Sequence, residues 1–311
     1  MKRVLVTGAS GFIGRLAVAR LCALGHEVHA TARQGAPLQM PPAAGACNAG
    51  ARAPVWHAVN LLETAATDAL FAEVRPSHWL HLAWVTESPA YWTSPANLDW
   101  LGASLHALKA FQRHGGARVV TAGSCAEYDW SAGWCLEDTT ACRPATLYGA
   151  TKNALCGLQQ AMVRQHGMSQ AWGRVFNLYG PDEAPSRFVP SVIQALLAGE
   201  PANCTAGLQR RDLLHVDDVA SALVTMLESA HEGAFNIASA APVELASVAR
   251  TIASVIGRSD LLRLGALPSR PNDPPLLCGD NRVLTSLDWV PAWSLERGLS
   301  NTVDWWRGRT A

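Results

Sequence analysis

The chain has no excess of charge of either sign: its 311 residues carry 25 Lys and Arg against 25 Asp and Glu. That balance argues against a nucleic-acid partner, which calls for a basic surface, and against a protein held to an anionic membrane. Long apolar runs are missing too. Although 49% of the residues are hydrophobic, no stretch approaches the ~20 needed to span a bilayer. Met1-Lys2-Arg3 leads directly into a strand-like segment, without the apolar region and cleavage site of a secretory leader. A cytoplasmic location is therefore expected. The eight cysteines, at 22, 47, 125, 135, 142, 156, 204 and 278, contain no C-x-x-C pair and match no zinc spacing. They read as small buried residues in a reducing compartment, with no metal site. Internal repeats and low-complexity tails are also absent. The length suggests about two domains.

Against these absences stands Thr7-Gly8-Ala9-Ser10-Gly11-Phe12-Ile13-Gly14. The apolar run Val4-Leu5-Val6 precedes it, and Ile13, Leu16, Ala17, Leu21 and Leu24 continue it at helical spacing. A strand, a glycine turn and a helix in that order form a dinucleotide-binding signature. Gly8 turns the chain off the strand, Gly11 admits a pyrophosphate, and Gly14 lets helix pack on sheet. Unpaired N–H groups at the helix start favour phosphate. Gly8, Ser10, Gly11, Phe12, Ile13 and Gly14 are the cofactor-binding candidates here.

A second strand is expected to end at Thr31-Ala32-Arg33. An acidic residue at this point would hold the ribose 2′-hydroxyl of NAD, whereas arginine suits the 2′-phosphate of NADP. No Asp or Glu stands there, so Thr31 and Arg33 favour NADP(H), with NAD(H) as the alternative. Residues 34–54, rich in Ala, Gly and Pro, read as a loop. A third strand is expected at Val55–Val59, with Asn60 and Leu61 beside the adenine. A helix follows over Glu63–Val74. The fourth strand, from His78, runs into Leu82 and Ala83, small enough for close approach to the cofactor; His81 lies inside that strand and reads as structural. The aromatic segment from Trp84 to Trp100 is either a wall of the substrate pocket or a packed lid. A helix over Pro95–His114 and a fifth strand over Ala117–Ala122 complete an alternation without hairpin signals. The expected fold is α/β, a doubly wound parallel sheet with a smaller mixed α/β C-terminal substrate domain. Boundaries are expected at 1–176 for the cofactor half and 177–311 for the substrate half, with some segments crossing back.

Ser124 ends the fifth strand, and Tyr148 and Lys152 lie four apart on one face of a predicted helix. A tyrosine near an ammonium is drawn toward its phenolate and can exchange a proton, while a serine hydroxyl holds the oxygen being protonated. The combination of the glycine turn, Ser124 and the Tyr148/Lys152 pair resembles the extended short-chain dehydrogenases/reductases of the nucleotide-sugar epimerase/dehydratase superfamily, over nearly the whole length. The resemblance implies that Ser124, Tyr148 and Lys152 are the catalytic triad, with Tyr148 and Lys152 also touching the cofactor. It extends to Arg174–Pro181, where Asn177 is implied in sugar-nucleotide contact, to Arg187–Pro190, to Gln209–Val219, where Arg211 is implied on the diphosphate, and to Arg270–Asp273, a second basic site. Guanidinium groups suit a diphosphate, so Arg187, Arg211 and Arg270 join Asn177 as substrate-binding candidates. The resemblance also implies a homodimer formed through the helices around 97–114 and 148–166.

Dehydratases of this superfamily carry an acidic pair directly after the strand-end residue. Here those positions are Cys125 and Ala126, with Glu127 and Asp129 shifted, which argues against dehydration. Three readings stay open. The favoured one is NADPH-dependent reduction of the C4 keto group of an NDP-4-keto-6-deoxysugar. The second is NAD-dependent 4-epimerisation of a nucleotide sugar. The third, a non-catalytic NADP-sensing module, leaves the triad unexplained.

Overall fold

In the computed structural model, residues 1–33, 52–87, 89–269 and 273–310 are described. The first strand, β1 (Arg3–Thr7), turns at the glycine motif into α1 (Gly14–Ala23). There follow β2 (Glu27–Ala32), β3 (Val55–Ala58), α2 (Thr64–Val74), β4 (His78–His81), α3 (Ala96–Arg113) and β5 (Arg118–Ser124). Next come α4 (Leu147–His166), β6 (Ser169–Val175), β7 (Asn177–Tyr179), α5 (Phe188–Leu197) and β8 (Leu213–His215). The chain closes with α6 (Val216–Glu228), β9 (Gly233–Ile237), α7 (Leu245–Ile256) and α8 (Leu295–Thr310).

The central sheet has seven parallel strands in the order β9-β6-β5-β4-β1-β2-β3. Strand order reverses next to β1, so the crevice outside the carboxyl ends of β1 and β4 is the topological switch point where ligands bind in such sheets. Strands buried on both faces read as continuous apolar runs, and Val4, Leu5, Val6, Val119 and Val120 are fully buried. On one face α1 and α6 pack with Val4, Val6, Val28 and Leu80 in one cluster. On the other, α2 and α3 enclose Leu5, Phe71, Trp79, Phe111 and Val119. The sheet is thus covered twice, as the α/β alternation requires.

Beyond residue 176 the chain does not stay apart. Helix α6 lies in the core over the main sheet, and β9 is its edge strand, paired with β6 from Gly233–Ala171 to Ile237–Val175. The remaining C-terminal elements gather α5, α7 and α8 around Val192, Ile193, Val248, Ile252 and Leu299. Asp217 and Asp218 tie this layer back. Asp218 accepts from the Ala292 and Trp293 amides at 2.8 and 3.1 Å, while Asp217 pairs with Arg20 of α1 at 2.8 Å.

Candidate active site

The glycine turn lies where the sheet would present a dinucleotide. Gly8 has φ 77°, and a Cβ there would stand 2.6 Å from the Ala83 amide nitrogen. A Cβ on Gly14 would stand 2.1 Å from the Gly8 carbonyl oxygen. Only glycine lets β1, the end of β4 and the start of α1 approach this closely. Ser10 and Gly11 are exposed at the head of α1, whose first N–H groups lack intrahelical acceptors. This is a cradle that a pyrophosphate fits. Leu82, half-buried, and Ala83, buried, border it. At the end of β2, Thr31 is buried and Arg33 exposed. Asn60 donates to Glu63 at 3.1 Å and its side-chain oxygen accepts from the Leu62 amide at 3.3 Å, so it also steadies the approach to α2; Leu61 is buried behind it. His81 is held in a buried relay. Trp79 donates to Thr7 Oγ1 at 3.0 Å, Thr7 Oγ1 lies 2.7 Å from His81 Nδ1, and His81 Nε2 lies 2.9 Å from Ser104, which donates to the Trp100 carbonyl. Burial pushes the His81 pKa down to about 3. The neutral ring with its proton on Nε2 is the tautomer that satisfies every partner.

Ser124, Tyr148 and Lys152 come together at the carboxyl end of β5. Ser124 caps the short turn Cys125–Glu127, its Oγ accepting from the Ala126 amide at 3.2 Å. The first turn of α4 is pressed onto that same turn, because Gly149 leaves no Cβ to meet the Ala126 carbonyl oxygen, which would stand 2.1 Å away. This contact brings Tyr148 beside Ser124, whose side chain favours the phenolate against the effect of burial. Thr146 caps α4 through the Gly149 amide at 3.1 Å. Lys152 donates from Nζ to the Ala122 carbonyl at 2.8 Å and lies 3.9 Å from the centre of the Trp84 ring.

The titration behaviour differs from the sequence expectation. Burial, with Tyr91 next, raises the Tyr148 phenol above its ordinary value. Burial likewise pushes the Lys152 ammonium down to about 7, against the opposing pull of Glu127. Desolvation is the largest influence on Tyr148 and favours its protonated form.

The aromatic segment is packed directly on the tyrosine. Tyr91 and Trp92 meet the Tyr148 ring edge-on at 4.9 and 5.7 Å, and Trp130 stands against Trp92 at 6.0 Å. Buried Asn97 fastens the segment, accepting from Trp84 Nε1 at 2.8 Å and donating to the Tyr91 and Ser94 carbonyls at 2.7 and 2.8 Å. Arg187 lies 5.1 Å from the Tyr91 ring and donates to its hydroxyl at 3.4 Å. Asn177 donates to the Asp212 carbonyl at 3.2 Å, joining β7 to β8. Arg211 is buried and ion-paired with Asp273. Arg270 lies outside the described residues.

Sequence reasoning missed the polar framework under the site. Glu127, fully buried, pairs with Arg174 at 3.0 Å and accepts from Trp172 Nε1 at 3.0 Å. Asp212, also fully buried, collects the Ser239 amide and hydroxyl and the Ala240 amide at 2.6, 2.8 and 2.9 Å. Its place beside Arg211 was the one available signal. Asp129 is a surface cap of the next turn, accepting from Ser131 at 3.0 Å. Among the described residues no group of His, Cys, Asp or Glu is placed to hold a metal ion, and no helix is long and apolar enough to cross a membrane.

The family model described as "NAD dependent epimerase/dehydratase family" matches residues 4–238. GDP-L-fucose synthase 1 of Arabidopsis thaliana is 29% identical over 80% of this chain and 82% of its own length. The dTDP-4-dehydro-6-deoxy-D-allose reductase of Streptomyces bikiniensis is 32% identical over 47% of this chain and 46% of its own. Against other curated relatives the chain spans 25% to 53% of their length. Among solved structures, UDP-glucose 4-epimerase of Thermus thermophilus, in complex with NAD, superposes with TM-score 0.83 at 26% identity, covering 98% of this chain and 99% of that one.

Proposed function

The chain belongs to the NAD-dependent epimerase/dehydratase family, and within it we propose that it reduces the C4 keto group of an NDP-4-keto-6-deoxysugar with NADPH. The observation that carries this reading is the end of β2, where exposed Arg33 follows Thr31 and no carboxylate stands to take a ribose 2′-hydroxyl. A nicotinamide cofactor in the glycine cradle supplies the hydride. Ser124 orients the keto oxygen by its hydroxyl, Tyr148 in its protonated form gives that oxygen a proton, and Lys152 lies behind them against Trp84. A reductase needs the neutral phenol as its acid, and burial keeps it neutral. Dehydration calls for a free carboxylate after the strand end, and Glu127 is instead consumed by Arg174 and Trp172. On this reading Asn177, Arg187, Arg211 and Arg270 serve the sugar nucleotide from the region 177–311. Arg211 exchanges Asp273 for a phosphate. The protein works as a homodimer through α3 and α4, which carry exposed Leu98 and Leu158.

The likeness over full length to a 4-epimerase holding NAD supports a second reading, in which the same triad oxidises and re-reduces C4 of a nucleotide hexose. Reduced-nicotinamide absorbance separates the two. With a panel of NDP-4-keto-6-deoxysugars, stoichiometric loss of NADPH is expected, and Tyr148→Phe should lower turnover by at least about a hundredfold while cofactor binding persists. Interconversion of an NDP-hexose and its C4 epimer without net oxidation would establish the epimerase instead.

A further inference from the structure

Glu127 is a fully buried carboxylate directly beneath Ser124, and the reaction as read above gives it no task. Its Oε1 accepts the Ser124 amide at 2.7 Å, closing a capping box with the serine hydroxyl. Both of its oxygens lie 3.0 Å from Trp172 Nε1, and Oε2 takes Arg174 Nε at 3.0 Å. Gly123 leaves it room, since a Cβ there would stand 2.5 Å from Oε1. Arg174 in turn reaches the Tyr128 hydroxyl at 2.8 Å, and Tyr128 donates to Asn236 of β9 at 2.8 Å. One carboxylate therefore fastens the ends of β5, β6 and β9 at the point where Ser124 emerges. A buried ion pair of this kind contributes little net stability compared with apolar residues of the same volume, so its placement against reacting groups is the telling feature.

We propose that Glu127 is a positioning residue of this site: held by Arg174 and Trp172, it fixes Ser124 from beneath and biases the charge of the neighbouring Tyr148 and Lys152. The groups that feel it are Arg174 on one side, Cys125 and Cys142 beside the turn, and Tyr148, Lys152 and Cys156 on α4. Lys152 and Tyr148 both hold their protons more tightly because of it. Removing its charge must therefore move proton loss from this pair to lower pH, whichever of the two titrates first. The inference rests on the catalytic reading of Ser124, Tyr148 and Lys152.

Glu127→Gln alone leaves Arg174 buried and unpaired, and its folded fraction is expected to fall. The decisive protein is therefore Glu127→Gln with Arg174→Gln, which restores neutrality and shape. The chain has three lysines, Lys2, Lys109 and Lys152, so 13Cε-lysine NMR resolves Lys152, assigned by its absence in Lys152→Met. In the full-length double variant, with NADPH affinity within about threefold of the parent, the Lys152 midpoint should drop by about one pH unit or more. Its kcat should fall at least about tenfold with KM little changed, and the alkaline limb of kcat should move to lower pH. An unchanged midpoint together with an unchanged kcat would overturn the role and leave Glu127 a purely structural group. If the parent protein turns over no sugar nucleotide, that result strikes the proposed reaction alone, and the lysine titration still decides whether Glu127 sets the charge of this pair.

Discussion

Arg33 is a single exposed side chain at a strand end, and the choice between two cofactors turns on it. A guanidinium on a 2′-phosphate makes charge-assisted hydrogen bonds of about 1.5–3 kcal/mol. Arg33→Ala is expected to weaken NADPH binding roughly 10- to 100-fold and to leave NADH binding within about twofold, since the 2′-hydroxyl offers no charge to lose. Fluorescence titration with both reduced cofactors measures this directly. Equal losses for the two would mean that Arg33 supports the fold of the strand end and not the phosphate. Lys152 illustrates a different residue-scale balance. The same burial that dries the site works against its charge, while the Ala122 carbonyl and the face of Trp84 hold the ammonium in place and the Glu127 carboxylate favours its charged form.

At the scale of elements, the segment between β4 and α3 has no regular structure of length, yet it reaches the tyrosine because Asn97 fastens it at three points. Asn97→Ala removes three hydrogen bonds and leaves Trp84 Nε1 without the Asn97 acceptor, at a cost of about 2–4 kcal/mol. Cofactor affinity should change little, because the glycine turn is elsewhere. KM for the sugar nucleotide should rise several-fold as Tyr91 and Trp92 leave the Tyr148 ring; steady-state kinetics beside a denaturant melt separates the two effects. Elements announced by local pattern were legible in the sequence. The glycine turn, β1 to β5, the α3 and α4 helices and the spacing of Tyr148 and Lys152 are all encoded within a few residues of one another. What was not legible depends on long-range pairing. Glu127 meets Arg174 only because β5 and β6 are neighbours, and nothing near Glu127 in the chain announces that partner. Phe235–Ile237 takes its place at the sheet edge beside β6 because α6 crosses back over the core. The surroundings of Tyr148 have the same origin, since Tyr91 and Trp92, which pack on its ring, lie more than fifty positions away.

At the scale of the whole molecule, buried titratable groups on opposite sides of neutrality shape stability. Glu183 is buried with Oε2 lacking a hydrogen-bond partner, and burial raises its carboxyl from 4.5 to about 8. A proton held more tightly in the fold than in the unfolded chain stabilises the fold fully below about pH 4.5, and that contribution is lost as pH rises through about 8. Glu183→Gln keeps the uncharged shape. Its melting temperature should match the parent near pH 5 and exceed it by a few degrees near pH 9, which scanning calorimetry across pH tests. His81 acts with the opposite sign: its contribution is complete above about pH 6.5 and is lost as pH falls toward about 3.

The edge strand β9 also has a consequence for how the protein is made. When β6 leaves the ribosome, the strand that will cover it is still encoded ahead, beyond residues 176–232. At ~5–20 residues per second that interval lasts roughly 3–11 seconds. Through it the unpaired edge of β6 stands open to any other nascent chain. The residues made during that interval include Asn177, Arg187 and Arg211. Translation speed across these codons, more than the strength of any finished contact, should therefore govern the yield of native protein.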